Sequence, residues 1–152
     1  MWDTPPISKI YEALGTVADG RLEINGNSGK CFSSSGNKYY DIIYDHEKKA
    51  IMTNDNASYW KGYLGYPAIA FLLQSNRLPY RPELGQLLKG VAWKDINQKF
   101  NNDFDKALEF ILESIDTDKR EQLNSYALSL LAQIIEMRLH KLGKRMKPPS
   151  GY

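Results

Sequence analysis

Apolar residues recur at helical spacing through Ile7, Ile10, Tyr11, Leu14 and Val17, after Thr4-Pro5-Pro6 and before Gly20. That spacing predicts a helix over 5–18, capped by Thr4 and stopped by the glycine. Short runs rich in β-branched and aromatic residues follow at 21–24, 30–35, 38–44 and 50–53. Turn-forming residues fill the gaps: Asn25-Gly26-Asn27-Ser28-Gly29, Gly36-Asn37, and Asp45 to Lys49. Such short links suit hairpins and are too short for parallel crossovers, so a three- to four-stranded antiparallel meander is expected over 21–53. From Pro67 the period lengthens to 3.6 and no further strand is expected. Helices are predicted at 67–74, at about 83–89 after the stiff link Leu78-Pro79-Tyr80-Arg81-Pro82, and around Trp93, Ile96 and Phe100. A clean stripe from Phe104 to Ile115 predicts another, and Thr117 is placed to cap a last helix from about 118 to 142, before Gly143. The chain therefore reads as one α+β domain over 1–147, with a disordered tail at 148–152.

The last helix carries two sets of apolar residues. Leu123, Tyr126, Ala127, Leu130, Leu131, Ile134, Ile135 and Leu142 form its stripe together with Arg138, while Leu128, Ala132, Met137 and Leu139 widen the arc. An arc that broad suggests burial on two sides, by the body of the domain or by a second copy, so a homodimer through this helix is an expectation.

Composition narrows the class without naming a function. With 152 residues, 42% apolar and 25% charged, the chain is globular and long enough for one core. Its longest apolar run, Ala68 to Leu73, is far short of the roughly 20 residues that cross a membrane, so no membrane partner is expected. The start Met1-Trp2-Asp3-Thr4-Pro5-Pro6 lacks the basic and apolar regions of a signal peptide, and a cytoplasmic location is expected. One cysteine, Cys31, forbids an intrachain disulfide, and with His46 and His140 it cannot complete a closed thiolate zinc site. The net charge of +2 is unevenly spread, because Arg138, Lys141, Lys144, Arg145 and Lys147 lie in a segment without acids. Such a segment suits either phosphate or the carbonyl end of a helix.

The stretch Asn54-Asp55-Asn56-Ala57-Ser58-Tyr59-Trp60-Lys61-Gly62-Tyr63-Leu64-Gly65-Tyr66-Pro67 is unusual for a connection between a strand and a helix. A short turn would suffice, yet it holds four aromatics, two glycines and three consecutive Asx residues. Asx side chains suit the start of a short helix near Ala57, which would turn Trp60 and Leu64 inward. Tyr59, Lys61, Tyr63 and Tyr66 are the candidate ligand-binding residues, offering ring faces and one cation to an unstacked base, a sugar or a peptide.

The segment Ser33-Ser34-Ser35-Gly36-Asn37-Lys38-Tyr39-Tyr40-Asp41-Ile42, a following strand, the junction and the helix containing Ala68-Ile69-Ala70-Phe71-Leu72-Leu73 together resemble a SWIM-type zinc finger over residues 33–73. Asn54 and Asn56 stand where that family has its Cys-x-Cys pair, and Gly65 and Pro67 where it has Cys-x-His. All four ligands are absent, so the resemblance implies a zinc site replaced by Asx hydrogen bonds and aromatic packing. It implies binding of DNA or protein and no metal chemistry.

Enzyme signatures are poor. The chain has no Gly-x-Gly-x-x-Gly, no phosphate-loop Gly-Lys-Ser/Thr, no His-Glu-x-x-His and no Gly-x-Ser-x-Gly. Cys31 with His46 lacks a third orienting group, and a lone strand cysteine is ordinarily a small core residue. The expected function is thus a non-catalytic binding module for single-stranded nucleic acid or a protein, without cofactor or metal. The alternatives are a small metal-dependent hydrolase or nuclease using Asp55 with Asp41 or Asp45, and a purely structural dimerising subunit.

Overall fold

A computed structural model describes residues 1–149. The first helix, α1, spans Ile7–Ala18 and does not begin at Pro5. A residue that precedes proline is driven out of the helical region, so Pro5 stays extended before Pro6, which is itself extended at φ −61°, ψ 148°. Thr4 consequently caps nothing, because the N-cap position falls on Pro6 without a side-chain bond.

Five strands form one sheet in chain order: β1 (Leu22–Asn25), β2 (Ser28–Phe32), β3 (Tyr39–Asp45), β4 (Ala50–Thr53) and β5 (His140–Lys141). The first four are the antiparallel meander expected from the turn residues. Gly26, at φ +63°, closes a tight turn with Asn25 opposite Ser28, so β2 starts two residues before the predicted Lys30. Ser33 to Ser35, predicted as strand, belong instead to the next turn, where Ser33 N–H donates to Lys38 O at 2.9 Å.

The inner sheet face, with Leu22, Cys31, Ile42, Tyr44 and Ile51, packs on the helix α3 (Tyr66–Gln74). Residues Ala68 to Leu73 of α3 are all fully buried, because α1 covers their other side. Gly29 in β2 permits this approach: a Cβ there would stand 3.0 Å from the Phe71 ring. Between β4 and α3 lies α2 (Asn56–Lys61). The chain continues through α4 (Pro82–Gly85), one 3₁₀ turn at Gln86–Leu88, α5 (Trp93–Lys99), α6 (Phe104–Leu112) and α7 (Thr117–Met137). The architecture is α+β, and among the described residues no helix is long and apolar enough to cross a membrane.

Three expectations for the last helix are corrected. Thr117 is its first residue and not its cap; Asp116 holds the N-cap position. The helix ends at Met137, five residues early, because Arg138 adopts a left-handed conformation at φ 48° and buries Leu139. The chain then runs parallel to β4 as β5, with His140 N–H donating to Lys49 O at 2.9 Å, a strand where none was expected. Finally, the body of the domain covers α7 on one side only: Leu123, Tyr126, Ala127, Leu130 and Ile134 face the core, whereas Leu128 and Ile135 are more than half exposed. Of the tail predicted at 148–152, Pro148 and Pro149 are half-buried, and residues 150–152 lie outside the described residues.

One side chain fixes α7 against the link before α4. The Tyr126 hydroxyl donates to Pro79 O at 2.7 Å and accepts from Arg81 N–H at 2.9 Å. Tyr126→Phe keeps the ring and removes both bonds, so a loss of about 1 kcal/mol is expected in urea unfolding with unchanged slope.

Candidate functional site

The junction after β4 is held by one carboxylate. Asp55 is extended at the N-cap of α2, where its carboxylate accepts from Ser58 N–H at 3.1 Å, Ser58 Oγ at 2.8 Å and Thr53 Oγ1 at 2.7 Å. Ser58 Oγ in turn accepts from Gly65 N–H at 2.9 Å. Gly65 must be glycine here, since a Cβ would fall 1.9 Å from Asp55 Oδ2. Gly62, left-handed at φ +79°, ends α2 and turns the chain back toward Asp3, whose N–H donates to Gly62 O at 3.0 Å.

This frame sorts the junction side chains onto two sides. Lys61, Tyr63 and Tyr66 line a cavity of about 570 Å³, a volume in the range that encloses small ligands. Its other walls come from α1 (Lys9, Glu12), the β2–β3 turn and β3 (Lys38, Tyr40), α5 (Lys94) and the start of α6 (Phe104). Tyr59 lies elsewhere. It lines a second cavity of about 370 Å³ with Trp2, Met52 and the segment after β5, and the Arg145 guanidinium covers its ring at 4.1 Å. Trp60 and Lys61 border both cavities; Trp60 is 67% exposed, which corrects the inward orientation expected for it, and Leu64 is buried as expected.

Lys9 and Glu12 were not anticipated as site residues. Lys9 Nζ lies 3.3 Å from Glu12 Oε2 and 4.1 Å from the centre of the Phe104 ring. Both side chains are about nine-tenths buried. Burial pushes the Glu12 carboxyl above its ordinary range, with the Lys9 ammonium and then Arg21 pulling it back. Burial also raises the phenols of Tyr63 and Tyr66, the latter strongly, so both remain neutral hydrogen-bonding groups. Tyr66 packs edge-on to Tyr40 at 6.4 Å, with Arg21 5.7 Å from its ring on another side.

The remaining candidates are dispersed. Asp41 N–H donates to Asn54 Oδ1 at 2.7 Å, Asp45 Oδ1 accepts from Lys48 N–H at 3.0 Å in the β3–β4 turn, and Asp55 is engaged as described. Among the described residues no three His, Cys, Asp or Glu side chains are grouped as a metal ion requires. Cys31 pairs with Tyr40, which places it on the order of 20 Å along the sheet from His46. Cys31 is fully buried in the core, and burial pushes its thiol up to about 12, which disfavours the thiolate form a nucleophile uses. At the four positions compared with zinc ligands, Asn54 bonds β3, Asn56 is exposed on α2, Gly65 accommodates Asp55, and Pro67 is buried in the first turn of α3.

Fold and cavity together define an α+β protein with a recess lined by lysines and aromatic rings. A family model described as Uncharacterised conserved protein UCP014422 matches residues 2–140, and the chain belongs to that family. No curated protein and no solved structure matches the chain significantly.

The buried Glu12 carboxyl gives a pH signature. Its pKa is raised on folding, so its favourable contribution is fully present below the ordinary carboxyl range and is lost as pH rises through the folded value. The stability of the wild type relative to Glu12→Gln should therefore fall as pH is raised from about 4 to 7. Urea unfolding of both proteins across that range checks the sign.

Proposed function

We propose that the protein is a non-catalytic binding module that holds single-stranded nucleic acid at the cavity beside α2. The observation that carries this reading is the composition of its walls. Lys38, Lys61 and Lys94 stand around the same recess as Trp60, Tyr63 and Phe104. Cations that track phosphate beside rings that stack on bases are what unstructured nucleic acid needs, because each base has a π face and each link a charge. Counting all charged lining residues, four lysines face two carboxylates, so the recess is net positive although the chain is nearly neutral. Tyr59 belongs to the frame in this reading, and Lys61, Tyr63 and Tyr66 to the ligand side. A nucleic-acid ligand and a single buried thiol fit a cytoplasmic setting. The hydrolase built on Asp55 with Asp41 or Asp45 gains no support, because the Asp45 and Asp55 carboxylates are each bonded into their own turn and Asp41 stands within β3.

Binding of a short single-stranded oligonucleotide should weaken about 20-fold between 50 and 200 mM salt if three lysines neutralise phosphates. Trp60→Ala, at an exposed position, should weaken it about tenfold or more with little change in melting temperature. Fluorescence anisotropy of a labelled oligonucleotide measures both; affinity that ignores salt and Trp60 would refute the reading.

A homodimer through α7 is a second proposal, favoured by the exposed Leu128 and Ile135, which lie seven residues apart on the same helix. Light scattering at about 100 μM should then give a dimer mass that Leu128→Glu reduces to the monomer.

A further inference from the structure

The lysines of the cavity are not equivalent. Lys9 is buried and shares its ammonium with Glu12, so together they are electrically neutral. Lys61 is exposed, and Lys38 and Lys94 are half-buried. The recess thus has a neutral polar floor beneath a cationic mouth. A phosphate seated at the floor would meet the Glu12 carboxylate, whereas nearer the mouth it meets the side of the recess that carries Lys38, Lys61 and Lys94. Among the described residues the one hydrogen bond of the Lys9 ammonium runs to Glu12 Oε2 at 3.3 Å, while an ammonium has three donors and a carboxylate accepts at both oxygens. A buried pair with that much unused capacity fits a ligand that brings an acceptor and donors side by side.

Resting on the nucleic-acid reading above, we propose that the cavity takes one unstacked base, reads its edge with Lys9 and Glu12, and selects guanine. Guanine sets its O6 acceptor beside the N1–H and N2–H donors. Lys9 donates to O6, and the two Glu12 oxygens accept from N1–H and N2–H. Other bases match less of this set: adenine and cytosine present one amino donor to the carboxylate, and thymine or uracil one ring N–H. Phe104, already 4.1 Å from the Lys9 ammonium, and Tyr63 supply apolar ring surface around the base. The volume of about 570 Å³ suits one nucleotide, with its phosphates directed to Lys38, Lys61 and Lys94 at the mouth. Single-stranded bases are recognised in this way, splayed from their neighbours and bonded on the Watson–Crick edge.

The test varies the ligand first, so that it does not depend on a variant folding. Oligonucleotides of thymidine carrying one central guanine, inosine, O6-methylguanine, adenine, cytosine or thymine are compared by anisotropy with the wild-type protein at pH 8, alongside guanosine monophosphate alone. The guanine strand should bind about tenfold or more tightly than the others. Inosine lacks the N2 amine that Glu12 accepts from, and O6-methylguanine lacks the N1–H. Glu12→Gln, checked for an intact melting transition, should bind all six strands within about threefold of one another. Equal affinity for all six strands in the wild type would overturn base selection while leaving the salt-dependent module intact. No binding by any strand or by the mononucleotide would overturn both. Guanosine monophosphate binding as tightly as the guanine strand would support the base site and overturn the strand as its ligand.

Discussion

Asp55 is a carboxylate only 3% exposed, and a buried charge is tolerable only where hydrogen bonds replace the water it lost. Thr53, the Ser58 hydroxyl and the Ser58 backbone supply those bonds, all within three residues of Asp55 itself. The carboxylate therefore welds the end of β4 to the first turn of α2. Through Ser58 it also fixes the entry to α3, because Gly65 N–H is bonded to the same hydroxyl that bonds Asp55. Every side chain between 59 and 66 inherits its direction from that closure. Trp60 is thrown outward by the phase of a helix that starts at Asn56, Leu64 is buried after the chain has left that helix at Gly62, and Tyr63 and Tyr66 are left against α1 and β3.

The same closure separates two surfaces with different electrostatic character. On one side of Trp60 the floor pair of Lys9 and Glu12 is shielded by Phe104 at the start of α6. On the other side the chain covers itself. Arg145 stacks on Tyr59 and the Lys141 ammonium lies 5.1 Å from the Trp2 ring. These cations from the basic segment are engaged with aromatic rings of the fold, so the segment acts first as a strap along β4 and not as a loose arm.

Much of the fold was legible because its causes are local. Turn chemistry at Gly26 and at Asp45 to Lys49 specifies the meander, the uninterrupted run Ala68 to Leu73 marks a helix with no wet side, and the Asx cluster marks the start of α2. What escaped depends on distant partners. Lys9 and Glu12 sit on an ordinary amphipathic helix, and only α5 and α6, some ninety residues later, turn their flank into the floor of a recess. The strand at His140–Lys141 is too short to carry a pattern and exists because β4 has a free edge and Arg138 can turn left-handed. Leu128 and Ile135 read as core from spacing alone, yet the domain supplies a neighbour for one side of α7 only.

The four residues picked out by composition divide according to this long-range geometry. A ring beside a cation has the same sequence signature whether it stacks on a ligand or on its own chain. Tyr59 takes the second course, since Arg145 arrives from beyond β5. Tyr63 and Tyr66 line the recess, whose other walls are lysines, polar turn residues and aromatic rings. Tyr66 packs edge-on against Tyr40 with Arg21 beside its ring, so it shapes the wall more than Tyr63 does. On the proposed reading, a recess with a buried polar pair at its base and less buried lysines nearer its rim separates the two ends of a nucleotide without a moving part.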